Sequence, residues 1–375
     1  MKQSLLLTTF LLLAAVSGCA PAQDGDASPR AELLPASPLA FAGQPDCNTP
    51  SHWDHDTLYL FHPFGPPWKT RRSFGPDLFH LETGPVTEFE SSGFFPFIES
   101  TWKDPGGTLY GWYHTEFKIC EKESLSAARI GAARSTDNGL NWQDLGITIM
   151  PPPDSLNCDS ANSFFGGGNG DFSAIADGNQ EWIYFFISTY YRPVGEQGVS
   201  VARMRYADRD DPVGKVQKWY QEAWSQPGLE GRVTPIFPVT GDWHQQTADA
   251  FWGPSIHYNT YLDEYVVLLN RTTGKDWTPE GFYISFNSDL SDPNGWSVPR
   301  ALEAPRDATP LLFRPPSLVA QFDIPGNADW DDWGPWYPQV MGIEPEKRET
   351  DKKAGRVARL FIHGESRWEI HFARR

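Results

Sequence analysis

The sequence predicts an all-β fold, a single domain arranged as a five-bladed β-propeller. Three observations carry this expectation. Prolines and glycines, 33 of each in 375 residues, interrupt the chain too often for long helices. Aromatic residues make up 14% of the chain and fall in short alternating runs that suit pleated strands. Those runs recur in five units of similar layout, which is the signature of a repeat architecture. A large β-sandwich with long loops is the competing arrangement.

The N-terminal segment precedes that domain. "MKQSLLLTTFLLLAAVSGCA" has one lysine, an apolar run and small residues ending at Cys19. This is a secretory leader, expected over residues 1–18, too short and wrongly flanked for a membrane span. "VSGC" resembles the lipobox of bacterial lipoproteins. That resemblance implies cleavage before Cys19, lipidation of Cys19 and, with Ala20 following, an outer-membrane address. Residues 19–45 are rich in Ala, Pro, Ser and Gly and read as a flexible tether. The propeller is expected over residues 46–375.

Within the domain each unit opens on a motif with Pro, Gly or an acid. A strand, a turn and a further strand follow. Second strands read as "DTLYLF" (56–61), "GTLYGWYH" (107–114), "EWIYFFIS" (181–188), "DEYVVLLN" (263–270) and "RVARLFIH" (356–363). Third strands read as "RIGAARS" (129–135), "GVSVARM" (198–204), "GFYISFN" (281–287) and "RWEIHFA" (367–373). The glycine-rich "GGGNG" (166–170) reads as the crossing from the second unit to the third, with "FSAIAD" as the strand that follows Asp171.

The formal net charge of −17 excludes a nucleic-acid partner, whose phosphates would be repelled. The chain has no G-x-S-x-G elbow, P-loop or H-E-x-x-H motif. Beyond Cys19, three cysteines remain, and their spacing matches no zinc motif. Cys120 and Cys158 are candidates to bridge two neighbouring loops, which would leave Cys47 unpaired.

Two stretches look like turns of known propellers. "STDNGLNW" (135–142) fits the Asp-box of sialidases, with Asp137 expected to bond turn amides and Trp142 to pack beneath. "SFNSDLSDPNGW" (285–296) resembles a turn of family 43-like glycosidases. "GDFSAIADGNQEWIYFF" and "WGPSIHYNTYLDEYVVLLN" resemble strand openings of the five-bladed propeller glycosidases, families 43, 32, 68 and 117. The resemblance covers most of the mature chain. It departs at Phe172, where proline is usual, and at "WGP" (252–254), which stands where "EGP" is expected. The family 43 triad therefore does not carry over intact.

The resemblance implies a glycan substrate bound where the first strands of the units converge. Glycoside cleavage needs one protonated and one ionised carboxyl, and a third carboxyl can tune the acid. Acids at strand openings are Asp171 in "NGDFS" and Glu99 in "FIESTW"; His52 and Asp54 in "SHWDHD" are weaker candidates. Glu116 ends the second strand of the second unit, on the same face as His114. Asp171 and Glu116 are the expected catalytic pair, in either order, and Glu99 the third carboxyl. His114, Trp252, His257, Trp336, Tyr337 and Gln339 are the expected sugar contacts. No organic cofactor and no catalytic metal are expected; a structural calcium ion is the one inorganic partner the family implies, and the chain is expected to be a monomer. "DWDDW" (329–333) reads as an exposed loop, with binding of sugar or calcium through its oxygens as the other reading. A non-catalytic glycan-binding propeller, or a scaffold that binds protein, is the alternative.

Overall fold

The computed structural model describes residues 28–41, 45–64, 69–90, 96–120, 125–305 and 335–374. The leader, Cys19 and "DWDDW" lie outside the described residues. Among those described, the chain is all-β, with only short 3-10 turns between strands. All nine runs read as second and third strands fall in strands of the structure.

The strands form four hydrogen-bonded sheets. The first is the antiparallel meander Ser51–Asp54, Thr57–Phe64, Lys69–Gly75 and Glu82–Val86. The next sheet, of 11 strands, contains two meanders. One runs through Phe97–Lys103, Leu109–Lys118, Ser126–Ser135 and Asn141–Ile149; the other starts with Phe165–Ala176, Trp182–Tyr190 and Gln197–Arg205. They join where Phe165–Ala176 pairs in parallel with Ser126–Ser135. The third sheet runs through Asp249–Asn259, Glu264–Thr273 and Thr278–Asn287. The last combines Pro338–Gly342, Val357–Ile362 and Glu365–Arg374 with a strand from the other end of the chain, Pro29–Ala40.

That strand corrects the expected tether. "PRAELLPASPLA" reads as a linker because of its prolines, yet it pairs antiparallel with Glu365–Arg374 from Pro29↔Arg374 to Ala40↔Glu365. It lies at the edge of its sheet, where a missing N–H is tolerated. Leu33 anchors it, 2% exposed among Leu262, Trp368 and Phe372.

The "GGGNG" stretch is also not a turn. It belongs to Phe165–Ala176, a strand buried at every position. A Cβ on Gly170 would lie 2.6 Å from the Ala128 Cβ and 2.8 Å from His114 Cε1. Here glycine permits close approach of strands, not a change of direction.

The first strands of the meanders form the centre of the molecule, and their inner edges are bridged by side chains. The Asn48 amide donates to the carbonyls of Phe172 and Pro254, at 2.8 and 3.0 Å. Ser100 Oγ donates to the Ala174 carbonyl and accepts from its N–H, both at 3.0 Å. Cys120 and Cys158 form a disulfide and Cys47 is a buried free thiol.

If Pro29–Ala40 is structural, Leu33→Ala should destabilise by about 2–5 kcal/mol, the usual loss for a buried leucine. Urea unfolding measures this; a residue in a tether would leave the midpoint unchanged.

Candidate functional site

A cleft of about 300 Å³ opens at one end of the central strands. Three inner strands are built alike at this end, and the similarity explains where the acids point. In Phe97–Lys103 the pairing with Leu109–Lys118 shifts between Ile98 and Ser100, which leaves Glu99 as a bulge. In Phe165–Ala176 the shift falls between Gly170 and Phe172, at Asp171. In Asp249–Asn259 it falls between Trp252 and Ser255. A bulge re-aims a side chain out of the sheet's alternation.

Two of the bulges take left-handed backbone, Asp171 at φ +44° and Gly253 at +55°, and so does Tyr337, just before Pro338–Gly342, at +57°. A Cβ at Gly253 would meet the Asn270 amide nitrogen at 2.5 Å. The fourth opening therefore carries glycine with no acid. Ser188 Oγ links two of the bulges, donating to the Asp171 carbonyl and accepting from the Gly253 N–H, both at 2.9 Å.

The cleft gathers four carboxyls around one imidazole. Glu99 Oε1 lies 3.4 Å from His114 Nδ1, and Glu116 Oε1 lies 3.3 Å from His114 Nε2. Glu99 and Glu116 thus stand on opposite sides of the same ring. Glu99 Oε2 accepts the Phe172 N–H at 2.9 Å. Asp171 accepts the hydroxyls of Tyr190 and Tyr337, the latter at 3.2 Å. The Tyr337 hydroxyl also lies 3.4 Å from Asp46 Oδ1. Glu116 accepts the Ser126 hydroxyl.

Burial and crowding split these groups by protonation. Burial pushes Glu99 up to about 8; the Asp171 charge adds to this and the His114 cation opposes it. Asp171 is raised by burial, against the opposing pull of His114 and the two phenols. Asp46 is raised by burial and by its carboxylate neighbours. Burial alone would lower His114, but its bond to Glu116 and the surrounding acids outweigh that and lift it to about 9. Glu116 is raised by burial but more strongly held down by His114 and Ser126. Near neutral pH the site therefore holds an imidazolium, an ionised Glu116 and protons retained among the deeper carboxyls.

The opposite wall is aromatic: Phe164, Trp277 and Trp336 line the cleft with Tyr337. Trp336 Nε1 donates to the Trp277 carbonyl at 3.2 Å, and the two rings lie 6.2 Å apart. Such a wall fits the apolar face of a sugar ring.

The structure thus brings Glu99, His114, Glu116, Asp171, Trp336 and Tyr337 together. Three expected contacts lie elsewhere. Trp252 is fully buried and packs edge-on behind Trp277 and Tyr337, at 4.6 and 5.4 Å. His257 points to Phe372 on the far side of its strand, where burial and the nearby Lys352 charge drive it down to about 3. Gln339 is consumed by Thr49, accepting its N–H and hydroxyl at 2.9 and 2.8 Å. His52 stacks on Tyr59 and Phe61, and Asp54 accepts the Asn138 amide; neither lines the cleft. Sequence reasoning missed Asp46, Tyr190 and Trp277. Asp46 stands just before the strand Ser51–Asp54, in "DCNTPSHW", but the adjoining proline-rich composition hid it.

Donor atoms of Glu99, His114 and Asp171 lie within 4.8 Å of one another, a spacing a metal ion can bridge. Glu99 Oε2, His114 Nε2 and both Asp171 oxygens already hold hydrogen bonds, to Phe172, Glu116, Tyr190 and Tyr337.

No protein-family model matches the chain, and no curated protein does. Similar solved structures include an exo-beta-1,3-galactanase from Phanerochaete chrysosporium with beta-1,3-galactotriose, 12% identical at a TM-score of 0.48. It is matched over 92% of this chain and 64% of its own, so the present chain spans under two thirds of that protein. A family 43 beta-1,3-galactosidase with galactodeoxynojirimycin is 12% identical at a TM-score of 0.45, over 90% of this chain and 94% of that one. A thermostable family 43 glycoside hydrolase is 10% identical at a TM-score of 0.45, over 88% and 92%.

The raised groups set a pH dependence of stability. Glu99 keeps a proton in the folded state that the unfolded chain releases near 4.5, so its contribution falls as pH rises from there through about 8. His114 acts in the same direction between 6.5 and about 9. The melting temperature should fall between pH 6 and pH 9, and less steeply in Glu99→Gln. An equal fall in both proteins, followed by calorimetry, would show that Glu99 does not hold the proton.

Proposed function

We propose that the chain is a glycoside hydrolase, a five-bladed propeller acting on an oligo- or polysaccharide at this cleft. The observation that carries the reading is the divided protonation of carboxyls around His114, opposite an aromatic wall. Glu116 is the half-buried, ionised partner. Glu99 retains the proton, and Asp171, raised by burial, is held in place by Tyr190 and Tyr337.

In the reaction, the retained proton passes to the glycosidic oxygen as the bond from that oxygen to the anomeric carbon breaks. Water adds to the anomeric carbon, and Glu116 accepts the proton that water loses. The imidazole stands between Glu99 and Glu116 and keeps the two carboxyls apart. His114 is a positioning cation that holds Glu116 ionised. Trp277 and Trp336 stack against the sugar.

Cleavage of a glycan panel tests this. Glu116→Gln and Asp171→Asn should each lower kcat by about 10²–10⁴-fold, the range of general acid–base catalysis. Activity should decline above about pH 8 as Glu99 gives up its proton. Saturable glycan binding without turnover by the unaltered protein would instead support the glycan-binding alternative, which the full engagement of Asp171 by phenols favours. Undiminished cleavage in Asp171→Asn would remove Asp171 from the mechanism.

The same proposal places the protein in the cell envelope as a lipid-anchored monomer. Cys19→Ala should shift it from the membrane to the soluble fraction, and retention in the membrane would refute anchoring at Cys19.

A further inference from the structure

The strand Pro29–Ala40 fixes where the chain enters the domain, and so which face an anchor at Cys19 draws toward a membrane. Pro29 follows Cys19 by ten residues. The cleft opens at one end of the central strands, and the strand register puts Pro29 at the other.

The first strands run away from the cleft. They end in turns where Asp54 pairs with Thr57, Lys103 with Leu109, Ala176 with Ile183 and Asn259 with Glu264. These turns make up the far face. In the last sheet the two ends are fixed in the same way. Pro338, next to the cleft residue Tyr337, pairs with Ile362, Ile362 with Glu365, and Glu365 with Ala40. Ala40 is therefore at the cleft end, and the Phe41 N–H continues there, donating to the Gly364 carbonyl at 2.9 Å. Pro29 pairs with Arg374 at the opposite end. Arg374 in turn donates to the Leu262 carbonyl and lies 3.1 Å from Glu264 Oε1, which ties it to one of the far turns.

Lengths decide what this exit permits. The strand Glu365–Arg374, of 10 residues, rises about 30 Å between the two ends. A chain of ten residues spans at most about 35 Å fully extended, and a flexible one averages about 18 Å. An anchor at Cys19 therefore keeps the far face near the bilayer. Bringing the cleft mouth down to the lipid would require the linker to run almost straight back along the whole height of the sheet. A tether over residues 19–45 would span up to about 90 Å and leave the orientation free. The far turns are not built to insert. Tyr261 is their one exposed large hydrophobic residue among those described, and the Arg356 guanidinium lies 5.3 Å over its ring.

We infer that the turn-bearing face opposite the cleft is the one that meets the lipid surface, and that the cleft opens away from the membrane that holds the protein. The inference rests on the lipid anchor proposed at Cys19. It restricts the substrate: glycans arriving from solution reach the cleft, and headgroup glycans of the anchoring bilayer do not.

Energy transfer on vesicles tests this. Cys47 is buried and Cys120 is joined to Cys158, which leaves the Cys19 thiol for coupling. The chain from Cys19 onward, which contains every described residue, is coupled through that thiol to maleimide lipids in phosphatidylcholine vesicles with acceptor-dye headgroups. An azide-bearing amino acid carrying a donor dye replaces either Tyr261, on the far face, or Val194, 49% exposed between Tyr190 and Gln197 at the cleft end. The dye at position 261 should lie about 30 Å nearer the acceptor plane than the dye at 194. An insertion of about twenty Gly/Ser residues before Pro29 should shrink that difference. Equal distances, or a nearer dye at 194, would overturn the inference. An unchanged difference after the insertion would overturn the short linker as its cause. Because the lipid is attached chemically, this result is independent of whether cells lipidate Cys19, which the fractionation of Cys19→Ala reports.

Discussion

The first strand of each meander carries an inner edge into a buried centre where neighbouring strands do not fully pair it. Backbone groups left there without partners would destabilise the fold. Side chains from adjacent strands supply the partners. Asn48 ties the segment before Ser51–Asp54 to Phe172 and Pro254, Ser100 trades two bonds with Ala174, and Ser173 Oγ accepts the Ile256 N–H. The centre is polar for this reason, and polar residues that look functional in the sequence, such as Gln339, serve it instead.

The same constraint builds the cleft. At that end the inner strands bulge, and a bulge frees backbone groups as well as re-aiming a side chain. Glu99 accepts the amide that the Asp171 bulge releases, and Ser188 spans from that bulge to Gly253. Holding non-glycine residues such as Asp171 and Tyr337 in left-handed backbone costs on the order of 1 kcal/mol each. That strain coincides with the hydrogen bond between those two residues. Structure and charge are coupled: a carboxylate that caps a neighbouring bulge is also one that burial keeps protonated.

Much of this was legible in the sequence. Alternating aromatic runs gave the second and third strands because their two faces meet different surroundings, and period two is a direct trace of that. Asp171, Glu99 and Glu116 were legible because acids beside strand openings or strand ends are few. The inner strands were harder. Phe165–Ala176 is buried at every position, so no alternation marks it, and its glycines resemble a turn. Pro29–Ala40 was hidden because an edge strand tolerates the prolines that elsewhere mark a linker. Trp252 and His257 share one strand, Asp249–Asn259, but which way a side chain points beyond a bulge depends on a register shift that residue types do not reveal.

The pairing of Pro29–Ala40 with Glu365–Arg374 has a consequence for biogenesis. A ribosome delivers the first of these strands well before its partner, so the early strand must wait, unpaired, through the synthesis of everything between. Contacts of such sequence separation form slowly. Trp336 and Tyr337, which wall the cleft, lie directly before the first strand of that late sheet. The cleft therefore gains Trp336 and Tyr337 only with that late sheet, and a nascent chain stalled before that point would carry the acids of the cleft with Phe164 and Trp277 but without those two rings.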